Sequence, residues 1–265
     1  MDFKQKRVKQ YQFVIRIILM FSVLHLAINT SLFAQELTTI QADRPDQTET
    51  PFTVPKNYFQ MEFGFLMEQN EDDIQSFTHP SILSKIGLTD NFELGIITEI
   101  ATLKYNSETF SGLNPITFRF KENICQEKGL LPTTSFIGYL TVPYFATENF
   151  KSTYFAPAFR FTMQHTLTSK LSLSYNIGAE WDGETAEPIF IYTFSTGYSI
   201  NENTSIYTEL YGFAPQKSKS DHRFDSGITY LLNPNLLFDV SGGVGLTDNT
   251  LKYYLAIGFC FRSKI

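Results

Sequence analysis

The fold is decided by Ser81–Ala101, SILSKIGLTDNFELGIITEIA. Read with a period of two residues, one side of this stretch carries apolar residues and uncharged serine or threonine. The other side carries all the charge of the two alternating runs, at Lys85, Glu93 and Glu99. Strict alternation of this kind indicates β-strands with two chemically different faces.

The alternation breaks once, at Thr89-Asp90-Asn91. The break predicts a hairpin with a three-residue turn, in which Asn91 takes the left-handed conformation and Leu88 pairs with Phe92. That register places Lys85 opposite Gly95.

The same pattern continues from Tyr58 to the C-terminus, where we identify twelve strands. Throughout these strands the apolar face holds no Lys, Arg, Asp or Glu, and it is rich in the 26 Phe and 14 Tyr of the chain. Connections after even-numbered strands are mostly tight, whereas those after odd-numbered strands, such as the predicted loop at 104–112, are longer and more polar. The pattern is typical of an outer-membrane barrel. A secreted β-sandwich is the alternative, but its uncharged face would be buried in a core and its loops would look alike at both ends.

We therefore predict an all-β protein, a 12-stranded antiparallel transmembrane β-barrel formed by residues 58–265. A closed barrel is required because an open sheet edge would leave backbone groups unpaired in lipid. An even strand number places both termini in the periplasm of a Gram-negative cell, with the barrel in the outer membrane.

The N-terminus has the parts of a cleaved secretory signal peptide, which we assign to residues 1–34. Five basic residues precede a short apolar run at 17–26, and Ala34 provides a small residue at the cleavage position. A retained anchor is the alternative, although the apolar run is short for a spanning helix.

Residues 35–57 show no period and contain Pro45, Pro51 and Pro55, so they predict an irregular segment. We expect it to fold into the periplasmic mouth as a plug. The predicted plug residues are Asp43, Arg44 and Asp46, and we expect Arg44 to meet lumen carboxylates such as Glu62 or Glu93.

The net charge and the cysteine count limit the partners and metal sites that the chain can have. The chain has a net charge of −6, and removing the basic leader makes the mature protein more negative, which argues against nucleic acid. Cys125 and Cys260 are the only cysteines; they provide no zinc site, and the sequence leaves open whether they are bridged. No cofactor or metal is predicted.

The charged face predicts the wall of the lumen. Its signs are mixed and nearly balanced, which argues against a strong ion selector. A salt-bridge network that fills the interior and a narrow polar path for a solute are both compatible with it. The predicted lumen residues are Glu62, Lys85, Glu93, Glu99, Arg119, Arg160, Glu180, Glu209, Arg223, Asp225, Asp239 and Lys252, with Glu68, Lys121 and Arg262 on the same face. The predicted solute contacts are Tyr139, Tyr207, Tyr211 and Tyr254.

Three blocks of the sequence carry a family resemblance. They are 43–62, which opens with Asp43-Arg44-Pro45-Asp46-Gln47-Thr48-Glu49-Thr50-Pro51, then Ile86–Leu94, and Asp225–Asp239. Together they resemble the outer-membrane transporter family named after the meta-pathway of phenol degradation. The resemblance covers essentially the whole mature chain. It implies a barrel that passes small, often aromatic or hydrophobic, compounds across the outer membrane.

A lipid-modifying enzyme and a purely structural barrel are the competing functions. The enzyme would need Ser, His and a carboxylate together at one rim, and Ser81 near His79 is the only local Ser/His pair. As partners we expect outer-membrane lipid, a small-molecule solute and, during insertion, the barrel-assembly machinery.

Overall fold

The computed structural model describes residues 39–70, 74–248 and 251–265. The predicted signal peptide and residues 35–38 lie outside these ranges. Within them, no helix is long and apolar enough to cross a membrane.

Strands make up most of the described chain. Their bounds are β1 (Tyr58–Asn70), β2 (Gln75–Thr89), β3 (Phe92–Tyr105), β4 (Glu108–Leu113), β5 (Ile116–Cys125), β6 (Thr133–Val142), β7 (Ala156–Thr166), β8 (Leu171–Glu180), β9 (Ile189–Ser199), β10 (Thr204–Pro215), β11 (Asp221–Asn233), β12 (Leu236–Gly245) and β13 (Leu251–Lys264). Two short 3-10 helices, Pro143–Phe145 and Glu148–Phe150, lie between β6 and β7.

The sheet closes on itself. Neighbouring strands pair antiparallel in chain order, and β1 pairs with β13. Both β4 and β5 pair with β3, so they form one interrupted wall strand. The interruption falls at Asn114-Pro115, where proline has no N–H for the ladder. Counted in this way, the described residues form the predicted twelve-stranded antiparallel barrel, which is confirmed.

The barrel has an inverted distribution of side chains. Large apolar residues such as Leu94, Phe194 and Ile257 are exposed on the outside, whereas Lys85 and Lys121 are almost fully buried inside. A protein in water buries the first kind and exposes the second. The arrangement fits an apolar solvent around the barrel.

The opening hairpin differs in one detail from its prediction. Lys85 does pair with Gly95, but Thr89 pairs with Phe92 after a register shift, so the turn is only Asp90-Asn91. Asn91 is not among the residues with positive φ. The shift places the extra residue, Leu88, inside β2 as a bulge, so one residue fewer remains in the turn.

A second difference concerns residues 104–112, which the sequence predicts as a loop. Most of them are strand, because β3 continues to Tyr105 and β4 begins at Glu108. Asn106 and Ser107 form the tight turn between them with φ of 48° and 68°. Two successive left-handed residues are typical of a two-residue hairpin turn. The polar residues that suggested a loop belong to a hairpin of β3 and β4 that continues past the last pair of β5 with β6, Ile116 and Val142.

The barrel has two distinct ends. Tight turns after β2, β7, β9 and β11 gather at one end with the start of β1 and the end of β13, and we call it the short-turn end. The longer connections at 143–155, 181–188 and 216–220 lie at the opposite end, the long-loop end.

Candidate functional site

Residues 39–57, which we call the lumen segment, enter and leave the barrel at the short-turn end. The Ile40 N–H donates to the Pro234 carbonyl at 2.8 Å, next to the β11–β12 turn. Farther along, the Thr53 hydroxyl donates to the Asp90 carbonyl at 2.7 Å, and Lys56 forms an isolated parallel bridge with Gly87. The residues between these two anchors lie inside the barrel.

Asp43 is the centre of the contacts on one wall. Its carboxylate accepts hydrogen bonds from Lys85 Nζ at 2.8 Å, Arg119 Nη1 at 3.1 Å and Lys121 Nζ at 2.6 Å. Burial alone would raise the pKa of this carboxyl, but Lys121, Lys85 and Arg119 outweigh it and hold the pKa well below its usual range. Asp43 is therefore a charged anchor of the lumen segment.

Two wall carboxylates accept hydrogen bonds from backbone N–H groups of the same segment. Glu62 accepts the Asp43 N–H at 3.0 Å and pairs with Lys85 at 2.5 Å. Glu93 accepts the Val54 N–H at 2.7 Å and pairs with Arg119 at 3.1 Å. Buried charges are stable only when they are paired and hydrogen-bonded, and this wall satisfies both conditions.

Arg44 does meet a predicted lumen carboxylate, but it is Asp239 and neither of the two examples given from the sequence. Its Nη2 lies 3.0 Å from Asp239 Oδ1 on β12. Glu62 and Glu93 form ion pairs with Lys85 and Arg119 instead. The guanidinium lies over two paired wall glycines, Gly64 and Gly258. A Cβ added at Gly64 would sit 2.1 Å from Arg44 Nη1, so only glycine leaves room for it.

The opposite wall, from β8 to β10, holds the segment with mostly neutral groups. Glu209 accepts the Gln47 N–H at 2.8 Å and also the Thr48 hydroxyl. The Thr48 hydroxyl lies 2.6 Å from that of Thr193, and Asn176 accepts the Glu49 N–H at 2.8 Å. Asp46 accepts the Ser195 hydroxyl at 3.0 Å.

Glu49 connects the segment to the long-loop side. It pairs with Arg119 at 3.3 Å and Arg160 at 3.8 Å, and it accepts a short hydrogen bond from Tyr139. Arg160 also pairs with Glu180 at 3.7 Å.

The remaining predicted lumen residues are distributed around the wall. Glu99 accepts from Ser81 at 2.9 Å, and Arg223 pairs with Asp221 at 2.6 Å and Glu68 at 3.5 Å. The side chains of Tyr207, Tyr211, Tyr254, Asp225 and Arg262 are buried.

Lys252 differs from its prediction as a lumen residue. It is exposed near the start of β13, and Leu251 is buried in its place beside Tyr254 and Leu66. The register shift between Gln69 and Asn70 on the paired β1 explains the exchange of faces.

Several neutral residues of the site were not singled out from the sequence. They occupy inward positions of their strands, but polarity at such positions does not reveal contact with a distant segment. They are Gln60, Asn123, Ser135, Asn176, Thr193 and Ser195.

Two cavities flank the lumen segment. The larger, about 960 Å³, extends toward the short-turn end between the segment and β7–β11, and its wall there is largely serine and threonine. The smaller, about 420 Å³, extends toward the long-loop end and is lined by Arg119, Tyr139, Arg160 and Trp181. Arg44 and Asp46 border both cavities and form the partition between them.

The Ser/His pair considered for catalysis is not assembled. His79 Nε2 lies 2.8 Å from the Thr102 hydroxyl, whereas the Ser81 hydroxyl donates to Glu99 at 2.9 Å. Cys125 is exposed, Cys260 is buried, and both are free thiols. No group of three or more His, Cys, Asp or Glu within the described ranges is placed to hold a metal ion.

Solved structures similar to this barrel include an outer-membrane channel and two porins. The COG4313 outer-membrane channel from Pseudomonas putida F1 superposes with a TM-score of 0.65 at 12% identity, over 80% of this chain and 97% of that one. The KdgM porin in complex with disordered oligogalacturonate has a TM-score of 0.54 at 10% identity, over 76% and 98% of the chains. The NanC porin has a TM-score of 0.51 at 10% identity, over 77% and 98%. At these identities the likeness shows a shared fold.

Among curated proteins, none matches this sequence. A family model does match, over residues 42–262, and so includes both the lumen segment from Ala42 onward and the wall strands. The chain belongs to the family described as "Putative MetA-pathway of phenol degradation".

Proposed function

We propose that this protein is an outer-membrane channel for small solutes, and that the lumen segment is the plug that controls it. The observation that carries the proposal is the pair of cavities that approach each other from opposite ends of the barrel. Arg44 and Asp46 of the lumen segment line both cavities, so this part of the segment lies between them. A displacement of this partition would join the cavities into one path.

In this proposal the short-turn end and both termini face the periplasm. Short periplasmic turns and longer outer loops are the usual arrangement in outer-membrane barrels. Outer-membrane lipid surrounds the apolar face, and the barrel-assembly machinery inserts the chain.

The proposed solutes are small aromatic or hydrophobic compounds. The family's connection with phenol degradation supports this class. The smaller cavity offers the Tyr139 and Trp181 rings beside the Arg160 guanidinium, a combination suited to a ring that carries a polar substituent. Tyr207 borders the larger cavity and is the corresponding contact at the other end.

The test compares the mature chain with a variant that lacks residues 35–50. Both are refolded, and single-channel conductance and liposome swelling are measured with matched aromatic and aliphatic solutes. We expect higher conductance and faster swelling in the shortened barrel. Unchanged conductance in a folded variant would contradict the plug, and impermeability of both proteins to all solutes would favour a structural barrel.

In this proposal the rim that contains His79 serves transport and not catalysis. A lipase and deacylase assay on the wild type and His79→Ala tests this part. Hydrolysis by the wild type that the substitution abolishes would favour the enzyme.

A further inference from the structure

Glu209 and Asp225 face each other directly inside the barrel. They are register partners on β10 and β11, and their exposed fractions are 1% and 0%. Side chains in this relation have Cβ atoms about 4.5–5.5 Å apart. Two carboxyl groups this close repel strongly when both are ionised in a buried site.

Neither carboxyl forms an ion pair within the described part of the chain, and Arg160 acts on Glu209 only through its longer-range charge. The nearby guanidinium groups are engaged elsewhere: Arg160 with Glu49 and Glu180, and Arg223 with Asp221 and Glu68. The other titratable groups that face the pair are Asp46 on the lumen segment, Tyr207 and Tyr211 on β10, and Tyr254 on β13.

Asp46 adds a third acidic group to this region. Burial, with Glu209 and Asp225 close by, raises the pKa of the Asp46 carboxyl well above its usual range. Protons are therefore favoured in this part of the lumen.

The hydrogen bonds of the pair are unequal. Both oxygens of Glu209 are used, one by the Gln47 N–H at 2.8 Å and the other by the Thr48 hydroxyl. Asp225 Oδ2 accepts from Tyr254, but Asp225 Oδ1 is buried and has no donor among the described residues. An ionised oxygen in that position would be costly, whereas a protonated one can donate to Glu209.

We infer that Glu209 and Asp225 share a single proton at neutral pH, carried by Asp225 and donated to Glu209. Asp225 is then a positioning residue, because it holds the Glu209 carboxylate against Gln47 and Thr48 of the lumen segment. Loss of the proton at alkaline pH leaves two facing carboxylates, and their repulsion moves Glu209 away from the segment. This regulatory consequence rests on the proposed channel function, whereas the shared proton does not.

Infrared spectroscopy of the refolded mature chain tests the proton itself. At neutral pH, Asp225→Asn should remove one component of the protonated-carboxyl C=O absorption. Asp221→Asn is the matched control on the same strand and should leave that component in place, because Asp221 is paired with Arg223. An unchanged band in Asp225→Asn, or loss of the component only in Asp46→Asn, would overturn the assignment.

Conductance as a function of pH tests the consequence. The wild type should conduct more as the pH rises above neutrality. Asp225→Asn should remain closed over the same range, since its amide N–H₂ continues to donate to Glu209. Glu209→Gln should be more conductive already at neutral pH, because the amide has one acceptor oxygen where the carboxylate has two.

A wild-type conductance that is flat with pH would overturn the regulatory step even with the infrared component present. If the variant lacking residues 35–50 is also impermeable, the channel proposal fails while the infrared result still decides the shared proton.

Discussion

Gly64→Ala is a sharp test of the partition between the two cavities. An added Cβ at Gly64 would lie 2.1 Å from Arg44 Nη1 and 2.7 Å from Arg44 Cζ, and these are its nearest neighbours. Ordinary contacts require more than 3 Å, so the guanidinium must shift by about 1 Å or more. That shift breaks its bonds to Asp239, which are 3.0 and 3.4 Å long.

The loss can be estimated from the kind of bond. Hydrogen bonds to charged groups contribute about 1.5–3 kcal/mol each, and partial exposure of Arg44 reduces the value here. A net loss of about 1–3 kcal/mol changes the population of the displaced segment by roughly 5–150-fold. We expect a corresponding rise in open probability in single-channel recordings, with little change in barrel stability.

Two further variants make this prediction refutable. Gly197→Ala is the matched control, because that glycine borders the larger cavity and an added Cβ would meet only the Ser172 hydroxyl. In an Arg44→Ala background, Gly64→Ala should add nothing further. An equal effect of Gly64→Ala with and without Arg44 would refute the role of this contact.

Other predictions concern the charged anchor and the outer face. Asp43→Asn leaves Lys85, Arg119 and Lys121 without their common partner and should cost about 3–5 kcal/mol in urea unfolding, whereas Glu202→Gln in an exposed turn should change little. Since the pKa of Asp43 is lowered in the folded barrel, its contribution should be fully present above the usual carboxyl value of about 3.9 and be lost as the pH falls below it. Urea midpoints should therefore be insensitive to this carboxyl between about pH 5 and 8, and a loss in that range that Asp43→Asn abolishes would contradict the assignment. Ile257 is 59% exposed in β13, and Ile257→Arg should lower the stability of the barrel in lipid by about 2–4 kcal/mol if the residue lies near the bilayer midplane. Leu246→Arg, near the long-loop end, should lower it by only about 0–1 kcal/mol. Equal losses would argue against a lipid-facing surface.

The barrel was predictable because the alternation is local and repeated. In each strand the alternation shows which face carries the charge. Few folds other than a barrel are compatible with twelve strands of this kind. Connections were harder, since a bulge in β2 and a hairpin at Asn106-Ser107 change a turn by one or a few residues without disturbing the pattern.

The interior was predictable only in part. Residue type and strand parity placed Lys85, Glu93 and Arg119 on the inward face, but not their partners. The ion pairs of Asp43 join residues 42 to 78 positions apart along the chain. Such pairings depend on the path of an irregular segment that has no period of its own. For the same reason the sequence placed Arg44 among lumen carboxylates but did not single out Asp239 as its partner.

The two thiols give the protein a natural reporter of its own interior. Cys260 is enclosed by Ile40 and Ala42 of the lumen segment, while Cys125 is exposed near the short-turn end. A membrane-impermeant maleimide should consequently modify one sulfur in the resting barrel. A second adduct, on Cys260, would form only when the lumen segment leaves the barrel. Mass spectrometry of the unaltered chain can therefore measure how often the segment leaves, without an introduced label.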